Sequence, residues 1–169
     1  KFLAKYERWN SPKYIFGESY GTTRSAALAY SLGTKHRTDL NGVILLSQIL
    51  NFDLSPDGPQ INPGMDLPYA LVLPTYAAGA WHHKKLPGAA RELRPLLDEV
   101  ERFALTDYLL ALAKGAKLSA TEKRAVAEKL HQYTGLPVDY LEKSNLRVNG
   151  GQFAKMLLDG DDQTVGRLD

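Results

Sequence analysis

A short motif near the N-terminus carries the residues that could do chemistry. Gly17-Glu18-Ser19-Tyr20-Gly21 matches the pattern G-x-S-x-G, in which a serine occupies a strained turn between a strand and a helix. The turn lifts the hydroxyl above a sheet, and the helix offers free N–H groups to a developing oxyanion. We predict that Ser19 is a nucleophile and that the backbone N–H of Tyr20 is an oxyanion donor. Both glycines are predicted to be necessary, because the turn brings backbones too close for side chains.

The flanking segments predict the elements that position this motif. The motif alone arises by chance in roughly one chain in twenty of this length, and the alternative to catalysis is a tight turn with an inert serine. Lys13–Phe16 predicts a strand, and Thr22–Leu32 predicts a helix with Gly33 at its C-cap. Gly42–Leu46 is a continuous apolar run, which predicts a parallel strand buried on both faces. Strand, helix and strand form a βαβ unit, so residues 1–52 are predicted to be a partial α/β-hydrolase core with a nucleophile elbow.

The rest of the chain predicts helices. Residues 53–68 are rich in proline, glycine and aspartate and are predicted to be a linker loop. Residues 69–169 are predicted to be a mostly helical cap or insertion region that follows the α/β core. One long helix is expected over Arg91–Lys114, and Ser119-Ala120-Thr121-Glu122 is a capping box that opens another. Neither end of the chain carries a start or tail signal, so we expect a fragment of a longer polypeptide.

Composition excludes several classes of site and partner. The 169 residues include no cysteine and carry a formal net charge of +2. Disulfides, thiolate metal sites and cysteine nucleophiles are therefore excluded within the chain. The small net charge gives no reason to expect a polyanionic partner, and no apolar run reaches the roughly 18 residues that span a bilayer. We expect no nucleic-acid or membrane partner, no metal and no cofactor.

The motif and two other segments resemble a known family. Lys13-Tyr14-Ile15-Phe16-Gly17-Glu18-Ser19-Tyr20-Gly21 resembles the serine carboxypeptidases, of which Gly-Glu-Ser-Tyr is the signature, and 66–82 and 161–169 look similar to the bacterial branch. The resemblance implies a secreted or periplasmic hydrolase that removes C-terminal residues from peptides. It implies that Ser19 is the nucleophile and Tyr20 the oxyanion donor. It also implies that Glu18, sharing a proton with a second glutamate at low pH, binds the free C-terminal carboxylate of the peptide substrate.

The sequence departs from this family in ways that affect activity. The upstream Trp-Asn-Gly-Gly-Pro-Gly segment, which carries the asparagine and the second glutamate, is absent. The family's catalytic Asp and His follow the cap, so we expect them outside this chain, in the remainder of the hydrolase. Without a base the serine is a poor nucleophile, and the chain alone is expected to be nearly inert. A triad of Ser19, Asp53 and either His82 or His83 is the weaker alternative.

The remaining clusters favour structural roles. Asp159-Gly160-Asp161-Asp162 lacks the spacing of a calcium loop and predicts a solvated turn. The residues Glu128, His131 and Asp139 match no metal-binding motif.

Several functions remain open. An esterase or acyltransferase on the same fold is the nearest alternative to a peptidase, and a non-catalytic interaction domain is another. Trp81 and Tyr76 suit either the wall of a substrate pocket or the core of the cap. A helix-turn-helix nucleic-acid module over Glu122–Asn149 is disfavoured, because its basic residues are scattered.

Overall fold

The computed structural model describes residues 1–54 and 64–166. The chain divides into two compact units, Lys1–Phe52 and Asp53–Asp169, and each is described by itself. The predicted linker, 53–68, falls mostly outside the described residues, because 55–63 are not among them. The last three residues of the family-like segment 161–169 also lie outside.

The first unit holds a small parallel sheet. Its elements are α1 (Phe2–Lys5), β1 (Tyr14–Glu18), α2 (Tyr20–His36) and β2 (Gly42–Leu46). The two strands pair in parallel, with Tyr14 opposite Gly42 and Glu18 opposite Leu46. The predicted end of α2 is wrong: the helix runs past Gly33 and ends where Arg37 adopts a left-handed conformation, with φ 48°.

The prediction that β2 is buried on both faces is also wrong. Its side chains from Val43 to Leu46 are between 39% and 53% exposed. The described part of the sheet has two strands, so β2 borders no third strand there. An apolar run of this kind fits burial in a wide parallel sheet, but a two-stranded sheet leaves it open to solvent.

The second unit is helical. Its helices are α3 (Leu67–His82), α4 (Leu93–Phe103), α5 (Leu109–Lys114), α6 (Ala120–Thr134), α7 (Val138–Lys143) and α8 (Gly150–Leu157). Its core is built from apolar side chains of α3, α4 and α6 such as Leu73, Leu96, Val100 and Leu130, which are at most 2% exposed. The capping box at the start of α6 is present. The Ser119 hydroxyl accepts a hydrogen bond from the N–H of Glu122, and the Glu122 carboxylate accepts one from the N–H of Ser119.

Two of the helical segments are irregular. Pro74 lies inside α3 without ending it, and the flanking residues Ala70 and Ala77 are fully buried. The helix predicted over Arg91–Lys114 is divided by a π-helical turn at Ala104–Tyr108. That turn brings residues five apart onto one face, and the rings of Phe103 and Tyr108 stack at 6.1 Å.

These observations correct the predicted fold class. An α/β-hydrolase core is a wide, mostly parallel sheet with helices on both faces. Over the described residues this chain is mostly helical, with a single sheet of two parallel strands. The assignment of an α/β-hydrolase core to the chain is therefore wrong. Among residues 1–54 and 64–166, none of the helices combines the length and the hydropathy that a bilayer-crossing segment requires.

Candidate active site

The backbone of Ser19 adopts an unusual conformation. Ser19 lies between the end of β1 and the start of α2, with φ 53° and ψ −122°. These angles match the first central position of a type II′ turn, which glycine normally occupies. A side chain held in such a region costs about 1–3 kcal/mol, and such strain clusters at functional sites. We refer to Gly17–Gly21 as the Ser19 turn.

Three hydrogen bonds fix the backbone of Ser19. Its N–H donates to the carbonyl of Leu46, the last residue of β2, at 3.0 Å. Its carbonyl accepts the backbone N–H of Thr22 at 2.9 Å and the Thr22 hydroxyl at 2.7 Å. The side chain of Thr22 is 2% exposed. The sheet and the first turn of α2 therefore hold the strained residue from both sides.

The two glycines of the Ser19 turn are not equivalent. Gly17 is buried, and a Cβ there would overlap the carbonyl oxygen of Gly21 and the hydroxyl of Ser25. A Cβ on Gly21 would meet nothing within 4 Å. Close approach therefore requires glycine at position 17, as predicted from the motif, whereas the same prediction for position 21 is wrong.

The three predicted site residues are exposed together. Glu18, Ser19 and Tyr20 are adjacent in sequence, and all three side chains face solvent. The Tyr20 ring lies 6.3 Å from the ring of Phe52. The first N–H groups of a helix have no partner within the helix and carry its positive dipole end. The geometry thus puts an exposed hydroxyl beside N–H groups that could stabilise an oxyanion.

The histidine of the first unit lies far from Ser19. His36 is the one histidine in residues 1–52, and it closes α2 at the end opposite Ser19. A rise of 1.5 Å per residue separates the two ends of this 17-residue helix by about 24 Å. Within the described part of the chain, the Ser19 hydroxyl has no hydrogen-bond partner. If a histidine is the base for Ser19, it comes from outside Lys1–Phe52.

The alternative triad residues belong to the second unit. Asp53 lies in a 3₁₀ turn, Phe52–Leu54, and is exposed. His82 is the last residue of α3, and its ring meets the ring of His83 edge-on at 5.0 Å. Neither histidine follows a strand, whereas the base of a serine triad on an α/β-hydrolase does.

The acidic clusters are occupied by basic side chains. Arg124 binds Glu128 at 3.1 Å and Asp139 at 3.2 Å, and Nδ1 of His131 lies 2.8 Å from the carbonyl of Leu136. In the other cluster, Asp161 binds Lys85 at 2.5 Å. Over the described ranges no three His, Asp or Glu residues are grouped to hold a metal ion.

The second unit contains a polar network that sequence reasoning missed. The Arg147 guanidinium donates to both carboxylate oxygens of Asp66, at 2.8 and 2.9 Å, and to the carbonyl of Leu112 at 3.0 Å. Nearby, the Tyr108 hydroxyl donates to the carbonyl of Leu146 at 2.6 Å, and burial raises the pKa of Tyr108. These partners lie 35 to 81 residues apart in sequence, so no local pattern could have revealed them.

Trp81 and Tyr76 take different roles in the second unit. Tyr76 is 6% exposed and stacks on Phe153 with ring centroids 4.2 Å apart, so it belongs to the core. Trp81 is 38% exposed and lines a surface pocket.

The chain matches no model of a known protein family, no curated protein and no solved structure.

Proposed function

We propose that this protein is a serine hydrolase of the carboxypeptidase type, with Ser19 as its nucleophile. The observation that carries the proposal is the Ser19 turn itself. A serine is held at φ 53° between a strand and a helix, with its side chain in solvent. The strain has no evident structural use, whereas it aims the hydroxyl outward at a helix N-terminus. Because function resides in the site, the proposal does not depend on the fold class.

The chemistry would proceed by acyl transfer. The Ser19 Oγ attacks the scissile carbonyl carbon and gives its proton to a base outside Lys1–Phe52. The backbone N–H of Tyr20 donates a hydrogen bond to the resulting oxyanion. The base then returns the proton to the departing amine, which leaves as the C-terminal amino acid, and water hydrolyses the acyl-enzyme.

Glu18 would set the preference for a free carboxylate. It is exposed beside Ser19, and a protonated carboxyl group can donate a hydrogen bond to the substrate's terminal carboxylate. In the serine carboxypeptidases that this motif resembles, a second glutamate shares that proton at low pH, so we expect acidic pH to favour the reaction. An acidic optimum suits the periplasmic or extracellular location that we propose with this activity.

Covalent labelling tests the nucleophile. We expect the natural polypeptide that carries this sequence to react with a fluorophosphonate probe, and Ser19→Ala to abolish the labelling. Ser31→Ala, on the same helix, is the matched control and should label as the wild type does. Labelling that survives in Ser19→Ala, or no labelling of the wild type between pH 4 and 8, would refute the proposal.

Substrate selectivity separates a peptidase from an esterase. We expect release of the C-terminal residue from an N-acylated dipeptide acid but not from the corresponding dipeptide amide. Glu18→Ala should raise KM for the acid more than it lowers kcat, because it removes the side-chain donor to the substrate carboxylate and leaves Ser19 in place. Equal turnover of acid and amide, or turnover of p-nitrophenyl esters alone, would favour the esterase or acyltransferase alternative.

A further inference from the structure

A pocket in the helical unit has the character of a small-molecule site. It encloses about 580 Å³, within the range of roughly 300–1,000 Å³ that ligand pockets occupy. Its lining is formed by Trp81, His82, Lys84, Leu86 and the segment 88–91. We call it the Trp81 pocket. It lies entirely within the second unit and is independent of the function proposed for Ser19.

Hydrogen bonds hold the walls of the Trp81 pocket in place. Beyond the end of α3, the N–H of Lys84 donates to the carbonyl of Trp81 at 3.1 Å, and the N–H of Lys85 donates to the carbonyl of Ala80 at 2.9 Å. The chain then returns, and the Trp81 indole Nε1–H donates to the carbonyl of Arg91 at 2.7 Å. This bond closes the loop and fixes the plane of the indole, so the pocket is formed before any ligand arrives.

The charge of the Trp81 pocket favours an anion. Its lining residues, all of which the structure describes, include the cations Lys84 and Arg91 and no acidic residue. Arg91 is already bound to Glu99 at 2.5 Å. Lys84 is exposed, and over residues 1–54 and 64–166 its ammonium group forms no ion pair or hydrogen bond. Lys84 is therefore the cation that a ligand can engage without first breaking an ion pair.

The apolar part of the lining favours a flat ring. The indole of Trp81 is 38% exposed, and Leu86 and two alanines, at positions 89 and 90, form apolar lining beside it. The small side chains leave room beside the indole, and aromatic faces prefer to stack on other rings. We propose that the Trp81 pocket binds a small aromatic carboxylate, with the ring against Trp81 and the carboxylate at Lys84.

Titration with 2-naphthoate tests this assignment in the full chain. The reporter is the indole N–H resonance of Trp81 in a ¹H–¹⁵N spectrum, which Trp9→Phe distinguishes from that of the only other tryptophan. A ligand of this size should bind with a Kd on the order of 1 mM or below. 2-Naphthalenemethanol, which has the same ring without the charge, should bind about fivefold more weakly.

Two charge variants locate the anion. Lys84→Gln should weaken 2-naphthoate binding about fivefold and remove the preference over the alcohol. Lys117→Gln removes an exposed lysine that does not line the Trp81 pocket, so it should leave binding unchanged. Circular dichroism verifies that both variants fold. Equal affinity for acid and alcohol, equal effects of the two variants, or no saturable shift of Trp81 would overturn the proposal.

A third titrant identifies the source of the aromatic carboxylate. N-acetyl-Gly-Gly-Phe presents an aromatic ring and a free carboxylate at the end of a peptide. Binding tighter than that of 2-naphthoate would support the proposal with a peptide C-terminus as the ligand, and weaker binding would support it with a free aromatic acid.

Discussion

The two glycines of the Ser19 turn allow a paired substitution in which only the variant at position 17 should be destabilised. In Gly17→Ala the added methyl group would overlap the carbonyl oxygen of Gly21 and the hydroxyl of Ser25. The oxygen is backbone and cannot rotate away, so α2 must move off β1. In Gly21→Ala the methyl group meets nothing within 4 Å and lies in the first turn of a helix.

The expected magnitudes follow from these contacts. Overpacking against a fixed backbone costs typically about 1–3 kcal/mol, and we expect about 2 kcal/mol or more for Gly17→Ala. Replacing a helical glycine by alanine stabilises by up to about 1 kcal/mol, so Gly21→Ala should be neutral or stabilising. Gly33→Ala should likewise be neutral or stabilising, because Gly33 lies within α2 and a Cβ there would meet nothing within 4 Å.

Hydrogen exchange measures these differences in the first unit alone. Backbone amides of β1 and β2 report the opening free energy of the sheet, independently of the helical unit. A loss of about 2 kcal/mol should accelerate their exchange about 30-fold in Gly17→Ala, whereas Gly21→Ala should leave it equal or slower. Equal acceleration in both variants would show that the turn requires two glycines and would refute the argument from close approach.

Three further predictions concern the helical unit. Arg147→Met should lower the free energy of unfolding by about 2–4 kcal/mol, because it leaves the Asp66 carboxylate, which is 17% exposed, without its bidentate partner. The double variant Asp66→Asn/Arg147→Met should lose less unfolding free energy than Arg147→Met alone. Urea titrations measure both losses. Tyr108→Phe should cost about 1–2 kcal/mol by leaving a buried carbonyl unpaired, measured by thermal melting. Hydrogen bonds from Lys114 and from the hydroxyl and N–H of Ser119 lower the pKa of Glu122 from 4.5 to about 2. Glu122 therefore stabilises the folded state above about pH 4.5 and loses that contribution as the pH falls toward 2, so Glu122→Gln should flatten the fall in Tm over this window.

Local patterns in the sequence predicted local structure well. The capping box at Ser119 and the bounds of β2, Gly42–Leu46, are observed as the sequence indicates. Both depend on residues within a few positions of one another. The conformation of Ser19 is also a local feature that the sequence predicted, because a five-residue motif indicated its strained turn.

Nonlocal features escaped prediction. The apolar run of β2 indicates a strand. Whether that strand is buried depends on how many other strands and helices cover it, and the run itself carries no information on its neighbours. The π-helical turn at Ala104–Tyr108 replaces a regular helix where Phe103 and Tyr108 both enter the core. Helix propensity predicted a continuous α-helix there, because propensity contains no information on which side chains must lie on the same face of the helix.

The exposed sheet has a consequence for the proposed nucleophile. Gly17 points toward α2, so the alternating residues Tyr14 and Phe16 of β1 lie on the opposite face, where they are 65% and 61% exposed. Burial of that face therefore contributes little to holding β1 in place. The strain at Ser19 must be offset by contacts on the α2 side and by the bond from its N–H to Leu46. Any change that loosens α2 from β1 should consequently relax Ser19 before it unfolds the helical unit, and reactivity toward a fluorophosphonate should fall earlier than helix content during a urea titration.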